Sequence, residues 1–228
     1  MSLLVCQDLA KSFPKATGAV EVLRGVDFSL SKGEAVAIVG PSGAGKSTLL
    51  NLLGGLDRAD SGTIRHEDTE LDPGDLKKVT LWRRHVVGFV FQYHFLLPDF
   101  TARENLLVPV RLLGEPTEKA ENRADDLLAA MDLTDRADHR PGELSGGEQQ
   151  RVAVARAFMN HPAVILADEP FGNLDRDKGR RLSDLLFSLR DREGTSLVIV
   201  THDPDLAGRA DRILELTDGR LRPLQDQR

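Results

Sequence analysis

Gly40-Pro41-Ser42-Gly43-Ala44-Gly45-Lys46-Ser47, with Thr48 directly after, brings glycines, a lysine and hydroxyls into one short stretch. Glycines let successive backbone N–H groups curl around an anion that side chains would otherwise keep away. The pattern matches G-x-x-x-x-G-K-[ST], in which the lysine reaches the β- and γ-phosphates of a nucleotide and the hydroxyl suits Mg²⁺. Here those places fall to Lys46 and Ser47. The bland alternative is a glycine-rich turn before an ordinary helix. It must also explain why an apolar run, Ala35 to Val39, ends at Gly40, and why leucines at 49, 50, 52, 53 and 56 follow with a helical period.

A second chemical element stands far down the chain, where Val164-Ile165-Leu166-Ala167 runs into Asp168-Glu169. A buried strand that delivers Asp168 to its C-terminal edge places a carboxylate where Mg²⁺ would sit beside the phosphates. Glu169, next in line, is suited to polarise a water for attack on a γ-phosphorus. Alone, an apolar run followed by Asp-Glu more often marks a strand entering a surface loop. Paired with the phosphate loop, the chemical reading is the stronger one. Leu144-Ser145-Gly146-Gly147-Glu148-Gln149-Gln150 then offers a second helix start with Ser145 and two glycines, and so a second anion-binding helix N-terminus. Without the rest, that segment reads equally as a helix N-cap after the Pro141-Gly142 turn.

These groups require an alternating scaffold. Leu3 to Leu9 and Val20 to Leu30 read as β-rich, with a turn region at Pro14 and Gly18. Short strands are expected at Gly62 to His66, Val86 to Phe91, Val164 to Ala167, Leu197 to Thr201 and Arg212 to Leu216, with a hairpin turn at Asp218-Gly219. Helices are expected after the phosphate loop, over Asp75 to Arg84, after a capping box at Thr101 and Glu104, over Thr117 to Met131, from Gly146-Gly147 to about Asn160, over Asp177 to Arg190 and after Pro204. Strands alternating with helices imply an α/β core with a parallel sheet. The helical block from about 93 to 160 reads as an insertion into that core, which comprises about 1–92 and 161–228.

The 228 residues carry 30 Lys plus Arg against 36 Asp plus Glu, a net charge of -6, so a duplex-DNA binder with its basic surplus is disfavoured. No apolar run approaches the roughly 20 residues that span a bilayer, and no secretory signal is apparent. A cytosolic chain is therefore expected. Cys6 is the single cysteine and reads as a buried strand thiol, with no Cys/His cluster to suggest a soft metal site.

The Ser145 segment resembles the signature of ATP-binding cassette (ABC) ATPases, and it lies shortly before the Asp168 strand as it does in that family. The resemblance covers essentially the whole chain. It implies a P-loop NTPase core with a parallel sheet, an N-terminal antiparallel β subdomain and an inserted α-helical subdomain. It also implies ATP as ligand, Mg²⁺ held by Ser47, Asp168 and Gln92, and Glu169, His202 and Gln92 as the catalytic set. Gln92 takes the place of the Q-loop glutamine, His202 that of the switch histidine, and Asp175 that of the D-loop aspartate at a dimer interface. The other histidines (66, 85, 94, 139 and 161) read as surface or structural. Phe13 stands where the family places an aromatic against adenine, although an early core position is equally open to it. The phosphate loop of one copy, Gly40 to Thr48, and Ser145, Gly146 and Gly147 of another would enclose each nucleotide, so a homodimer forms on ATP.

Leu52-Leu53-Gly54-Gly55-Leu56-Asp57, Leu97-Pro98-Asp99-Phe100-Thr101-Ala102 and Asp168-Glu169-Pro170-Phe171-Gly172-Asn173-Leu174-Asp175 are similar to the branch serving lipoprotein release and MacB-type export. Phe171 departs from that branch, which generally has Thr there. The resemblance implies integral-membrane permease partners (LolC/LolE-like or MacB-like), received in a groove of the helices between Gln92 and Ser145. It implies a peripheral place on the cytoplasmic face of the inner membrane through those partners only, and no nucleic acid. Lipid-modified proteins would be lifted from the membrane by a lever-like stroke. Other cargoes, or a partner ATPase signalling to cell-wall enzymes in division, would use the same chemistry. DNA-repair relatives carry coiled coils or zinc insertions for which this chain has no room, and a simple P-loop kinase would not need the Ser145 segment.

Overall fold

The computed structural model describes residues 2–15, 18–112, 114 and 117–224. In chain order the first elements are β1 (Ser2–Lys15), β2 (Gly18–Ser31), β3 (Ala35–Val39), α1 (Lys46–Leu53), β4 (Ser61–His66), β5 (Thr69–Glu70), α2 (Leu76–His85) and β6 (Val87–Phe91). Three helices follow, α3 (Ala102–Arg111), α4 (Thr117–Ala130) and α5 (Gly146–Ala157). The chain then returns to alternation with β7 (Val164–Asp168), α6 (Arg176–Glu193), β8 (Ser196–Val200), α7 (Pro204–Ala207), β9 (Arg212–Thr217) and β10 (Arg220–Pro223).

Two sheets result. An antiparallel one has the order β2-β1-β4-β5, and a six-stranded one the order β10-β9-β3-β8-β7-β6. In the second, β9, β3, β8, β7 and β6 pair parallel and only β10 is antiparallel. The expected α/β architecture is therefore present. β3 is apolar throughout, and β7 and β8 are apolar at all but their end residues Asp168 and Ser196, because both faces of the sheet are covered. Val164, Leu166, Val198, Val200, Val36 and Ile38 join one buried cluster with α1 and the antiparallel sheet. The alternate residues Ile165, Ala167, Leu197 and Ile199 join another with helices α3 to α6. Period-2 alternation thus sends successive side chains into two different cores.

Several boundaries differ from the sequence expectation, and one strand is additional. β1 runs through Pro14 to Lys15, which pairs with Gly18, so Pro14 and Gly18 lie in strands and not in a turn region. Pro14 is tolerated because β4 stops pairing with β1 at Ala10, which leaves β1 one neighbour beyond that point. Asp75 caps α2 from outside, its carboxylate accepting from the N–H of Lys77 and Lys78. α6 begins at Arg176 and extends to Glu193, where Gly194 closes it at φ 66°. β5 was not expected, and its two residues are too few to show a period. The Thr101 capping box is present with both bonds, at 2.8 and 3.2 Å. Residues 120, 124, 127, 128 and 131 form one buried stripe, as their spacing requires. Cys6 is buried in β1, its thiol facing the Val26 carbonyl, and burial pushes its pKa up to about 12.

Candidate active site

The loop after β3 turns into α1 through three glycines of positive φ, Gly40, Gly43 and Gly45. A Cβ on Gly40 (φ 144°) would strike the Leu216 carbonyl oxygen, and one on Gly45 (φ 99°) would lie 2.6 Å from Val22 Cγ1. Neither position admits a side chain. Gly45 is the N-cap of α1 and supplies no side-chain cap, so the first N–H groups of that helix are left for an anion. Lys46 Nζ donates to the carbonyls of Gly40 at 2.9 Å and Pro41 at 3.0 Å, which folds the ammonium back over the loop. Ser42, Gly43, Gly45, Lys46, Ser47 and Thr48 line one cleft of about 430 Å³, together with Phe13, Asp168 and Glu169.

Asp168 ends β7 between Phe91 of β6 and Val200 of β8. Burial pushes its carboxyl above the ordinary range, the Ser47 hydroxyl hydrogen-bonded to it opposes that, the Glu169 charge adds to the rise, and Lys46 opposes it. Ser47 and Asp168, 121 residues apart in the chain, thus meet at one point of the cleft. Both are hard oxygen donors, the kind that suits Mg²⁺. Among the described residues no group of three or more His, Cys, Asp or Glu could hold a metal by itself. That fits a cation which takes its remaining ligands from phosphate and water.

Glu169 follows in the left-handed region, φ 44°, with its N–H donating to the Val200 carbonyl at 2.9 Å. This turn separates two carboxylates adjacent in the chain. Glu169 Oε2 lies 2.9 Å from His202 Nδ1 and accepts from the His202 backbone N–H at 3.3 Å. Strained backbone held by its surroundings is a common property of reacting centres. Phe13 is exposed rather than in the core and stands at the rim of the same cleft. Lys11 Nζ lies 5.0 Å from its ring centroid and is itself fixed by Asp57 at 2.9 Å and the Arg58 carbonyl at 2.6 Å.

Gln92 does not line the phosphate cleft. Its Nε2 donates to Asn173 Oδ1 at 3.2 Å, and Asn173 Nδ2 donates back to the Gln92 carbonyl at 3.2 Å. Three further residues fix this region, although the sequence expectation assigns none of them a role. Buried Gln150 donates to the carbonyls of Phe91 at 2.9 Å and Pro170 at 2.7 Å, and its Oε1 lies 3.2 Å from His94 Nδ1. Arg156 donates to the carbonyls of His94 and Phe95, both at 2.8 Å. Asn105, fully buried, accepts from the Leu97 N–H at 2.8 Å and donates to nearby carbonyls including that of Phe100. Buried amides within helices otherwise apolar on that face were the available signal. Outside this scaffold, Tyr93, Phe95 and Leu97 are exposed.

Ser145, Gly146 and Gly147 open α5 as expected, the helix beginning at Gly146. Ser145 and Gly147 line a depression with Glu148, Arg151 and Lys178, separate from the phosphate cleft. The helix starts at Lys46 and Gly146 are therefore not brought together within one chain. Asp175, the N-cap of α6, accepts from the Lys178 N–H at 3.0 Å and pairs with its ammonium at 2.7 Å. Phe171 is buried in the helix-side core and borders His202. It leaves the Glu169–His202 pair intact.

A loop of this shape beside an Asp-Glu strand end and a partnered histidine defines a nucleotide-phosphate site of the ABC type. Residues 23–172 match the ABC transporter family model, and the chain belongs to that family. Within it, the chain is 50% identical over 220 residues to the lipoprotein-releasing system ATP-binding protein LolD of Bacteroides thetaiotaomicron, covering 96% of this chain and 99% of that protein. LolD of Idiomarina loihiensis is 46% identical over 220 residues, 96% of each chain. Among solved structures, the dimeric post-hydrolysis state of the ATP-binding cassette MJ0796 bound to ADP and Pi superposes with a TM-score of 0.88 at 36% identity. That match covers 97% of this chain and 99% of the other.

Proposed function

We propose that this chain is the ATP-hydrolysing subunit of a lipoprotein-releasing ABC system, and that two copies work together on integral-membrane permease partners. The observation that carries the reading is its near full-length identity to LolD proteins, at 50% across 96% of the chain. The assembled Lys46, Ser47, Asp168, Glu169 and His202 supply the matching chemistry. Among the described residues no helix is long and apolar enough to cross a membrane, which accords with membrane attachment through partners.

ATP enters the cleft with its phosphates wrapped by the Gly40–Thr48 backbone, and Lys46 exchanges its carbonyl acceptors for β- and γ-phosphate oxygens. Ser47 and Asp168 would hold Mg²⁺, with Gln92 approaching from its loop, and the ion neutralises phosphate charge when bound. Glu169 takes the proton of a water whose oxygen attacks the γ-phosphorus, and the β–γ bridging oxygen leaves with ADP. His202, held by Glu169, stays directed at the transferring group. Ser145 and Gly147 of a second copy complete the donors around the γ-phosphate. Because ADP lacks that group, only ATP shifts the pair toward closure. The exposed Tyr93, Phe95 and Leu97 beside Gln92 are the surface offered to the permease.

The test is reconstitution. The chain is copurified with its membrane partners, placed in proteoliposomes and given ATP. Release of a lipid-modified protein is expected, and Glu169→Gln abolishes it while leaving ATP binding intact. Transport of a macrolide or peptide in place of release would overturn the assignment of cargo.

A further inference from the structure

The hydroxyl of Ser145 has one proton to donate, and the structure shows where it goes. Ser145 Oγ lies 2.7 Å from Glu148 Oε2, and the Ser145 backbone N–H donates to the same oxygen at 2.8 Å. In return, Ser145 Oγ accepts from the Glu148 N–H at 3.3 Å. The other carboxylate oxygen of Glu148 lies 3.2 Å from Arg136 Nε. A capping box is ordinary at a helix start. This one sits on the donor that the proposed reading requires for the γ-phosphate of a second copy.

We propose that Glu148 is a displaceable stand-in for the γ-phosphate, occupying the Ser145 donors until ATP on a second copy displaces it, and that Arg136 is the group which receives the released carboxylate. The inference rests on the function proposed above and adds a threshold to it. Two anions cannot both take the single Ser145 proton, and a phosphate bonded to Ser145 would stand next to the Glu148 charge. Protonation offers no escape. The Ser145 side-chain and backbone hydrogen bonds, and then Arg136, hold the Glu148 carboxyl below the usual carboxylate range, so it is charged wherever the site works. The carboxylate has to move. Arg136, itself half exposed in the turn Thr134–Arg136, is already in contact with it. Glu148 and Arg136 act through Ser145 and are positioning residues. A nucleotide without a γ-phosphate has nothing to set against them, which sharpens the difference between ATP and ADP.

Dimerisation against ATP concentration, followed by analytical ultracentrifugation in the hydrolysis-deficient Glu169→Gln chain, tests this. Glu148→Gln keeps both capping bonds and removes the charge. It should lower the ATP concentration for half-dimerisation by about tenfold, the effect of one like-charge contact. Arg136→Gln, at an exposed site that leaves the fold unaffected, should raise it several-fold. In the Glu148→Gln background Arg136→Gln should change nothing further. An unchanged or raised ATP requirement in Glu148→Gln overturns the proposal, as does an Arg136→Gln effect that persists without the Glu148 charge. If the Glu169→Gln parent forms no ATP-dependent dimer, the proposed function falls and this inference with it. If the parent dimerises and Glu148→Gln gives no gain, only the inference falls.

Discussion

Gln92 and Asn173 hold each other reciprocally, one amide bonding to the other and that amide returning to the backbone of the first, at 3.2 Å in both directions. The pair ties the loop leaving β6 to the loop leaving β7, so a push on the exposed aromatics beside Gln92 arrives two residues from Asp175.

Asn173→Ala removes both bonds at an exposed position, where each contributes no more than about 1 kcal/mol. Thermal stability should change little. Hydrolysis by the isolated chain should fall by less than about threefold, while stimulation by the membrane partners should be largely lost. Comparing ATP turnover of the chain alone with turnover in the reconstituted complex checks this. Equal losses in both would mean that the pair serves the chemistry and not its coupling.

Asp168→Asn should separate stability from activity. Burial leads the causes that raise the Asp168 carboxyl above its ordinary value of 3.8, so the charged form costs the fold stability at neutral pH. Removing the charge should raise the melting midpoint by about 1–2 °C, the small size reflecting partial solvent screening. The gain should vanish as the pH falls below 3.8, where Asp168 is protonated in folded and unfolded chains alike. Mg²⁺-dependent hydrolysis should drop by about a hundredfold or more. Melts from pH 3 to 8, with turnover at pH 7, give both numbers.

Arg123→Gln strikes the junction of α4 with the end of α6. Arg123 bonds Glu193 at 2.6 and 3.1 Å and the Phe158 carbonyl at 3.0 Å, and both side chains are largely buried, at 16% and 11% exposure. Burial pushes Glu193 up, but Arg123 and then Arg192 outweigh it, and the carboxyl ends below its ordinary 4.5. The pair therefore stabilises the fold above that pH and loses its effect as the pH falls through the folded value. Urea unfolding at pH 7 should show a loss of about 2–3 kcal/mol, shrinking in acid. A loss independent of pH would point to packing alone.

Much of the site was legible because its chemistry is local. The glycines, Lys46 and Ser47 are consecutive, Asp168 and Glu169 adjoin an apolar run, and Ser145 to Glu148 span one helical turn. What joins these pieces was not legible. Gln150 bonding Phe91 and Pro170, Asn173 bonding Gln92, and Arg123 bonding Glu193 depend on which helix lies over which strand. No spacing records that. The fold followed the same division. Strands buried on both faces stood out as apolar runs, whereas the extension of β1 past Pro14 depends on where a neighbouring strand stops.

The buried thiol of Cys6 has a practical side. With a pKa near 12, only about one molecule in a hundred thousand carries a thiolate at neutral pH, and burial shields even that one. The chain has no other cysteine. Peroxide and disulfide exchange therefore find little handle in the native fold, and a cysteine introduced at Lys178 or Tyr93 would take a fluorophore with little background, so that Cys6 need not be replaced first.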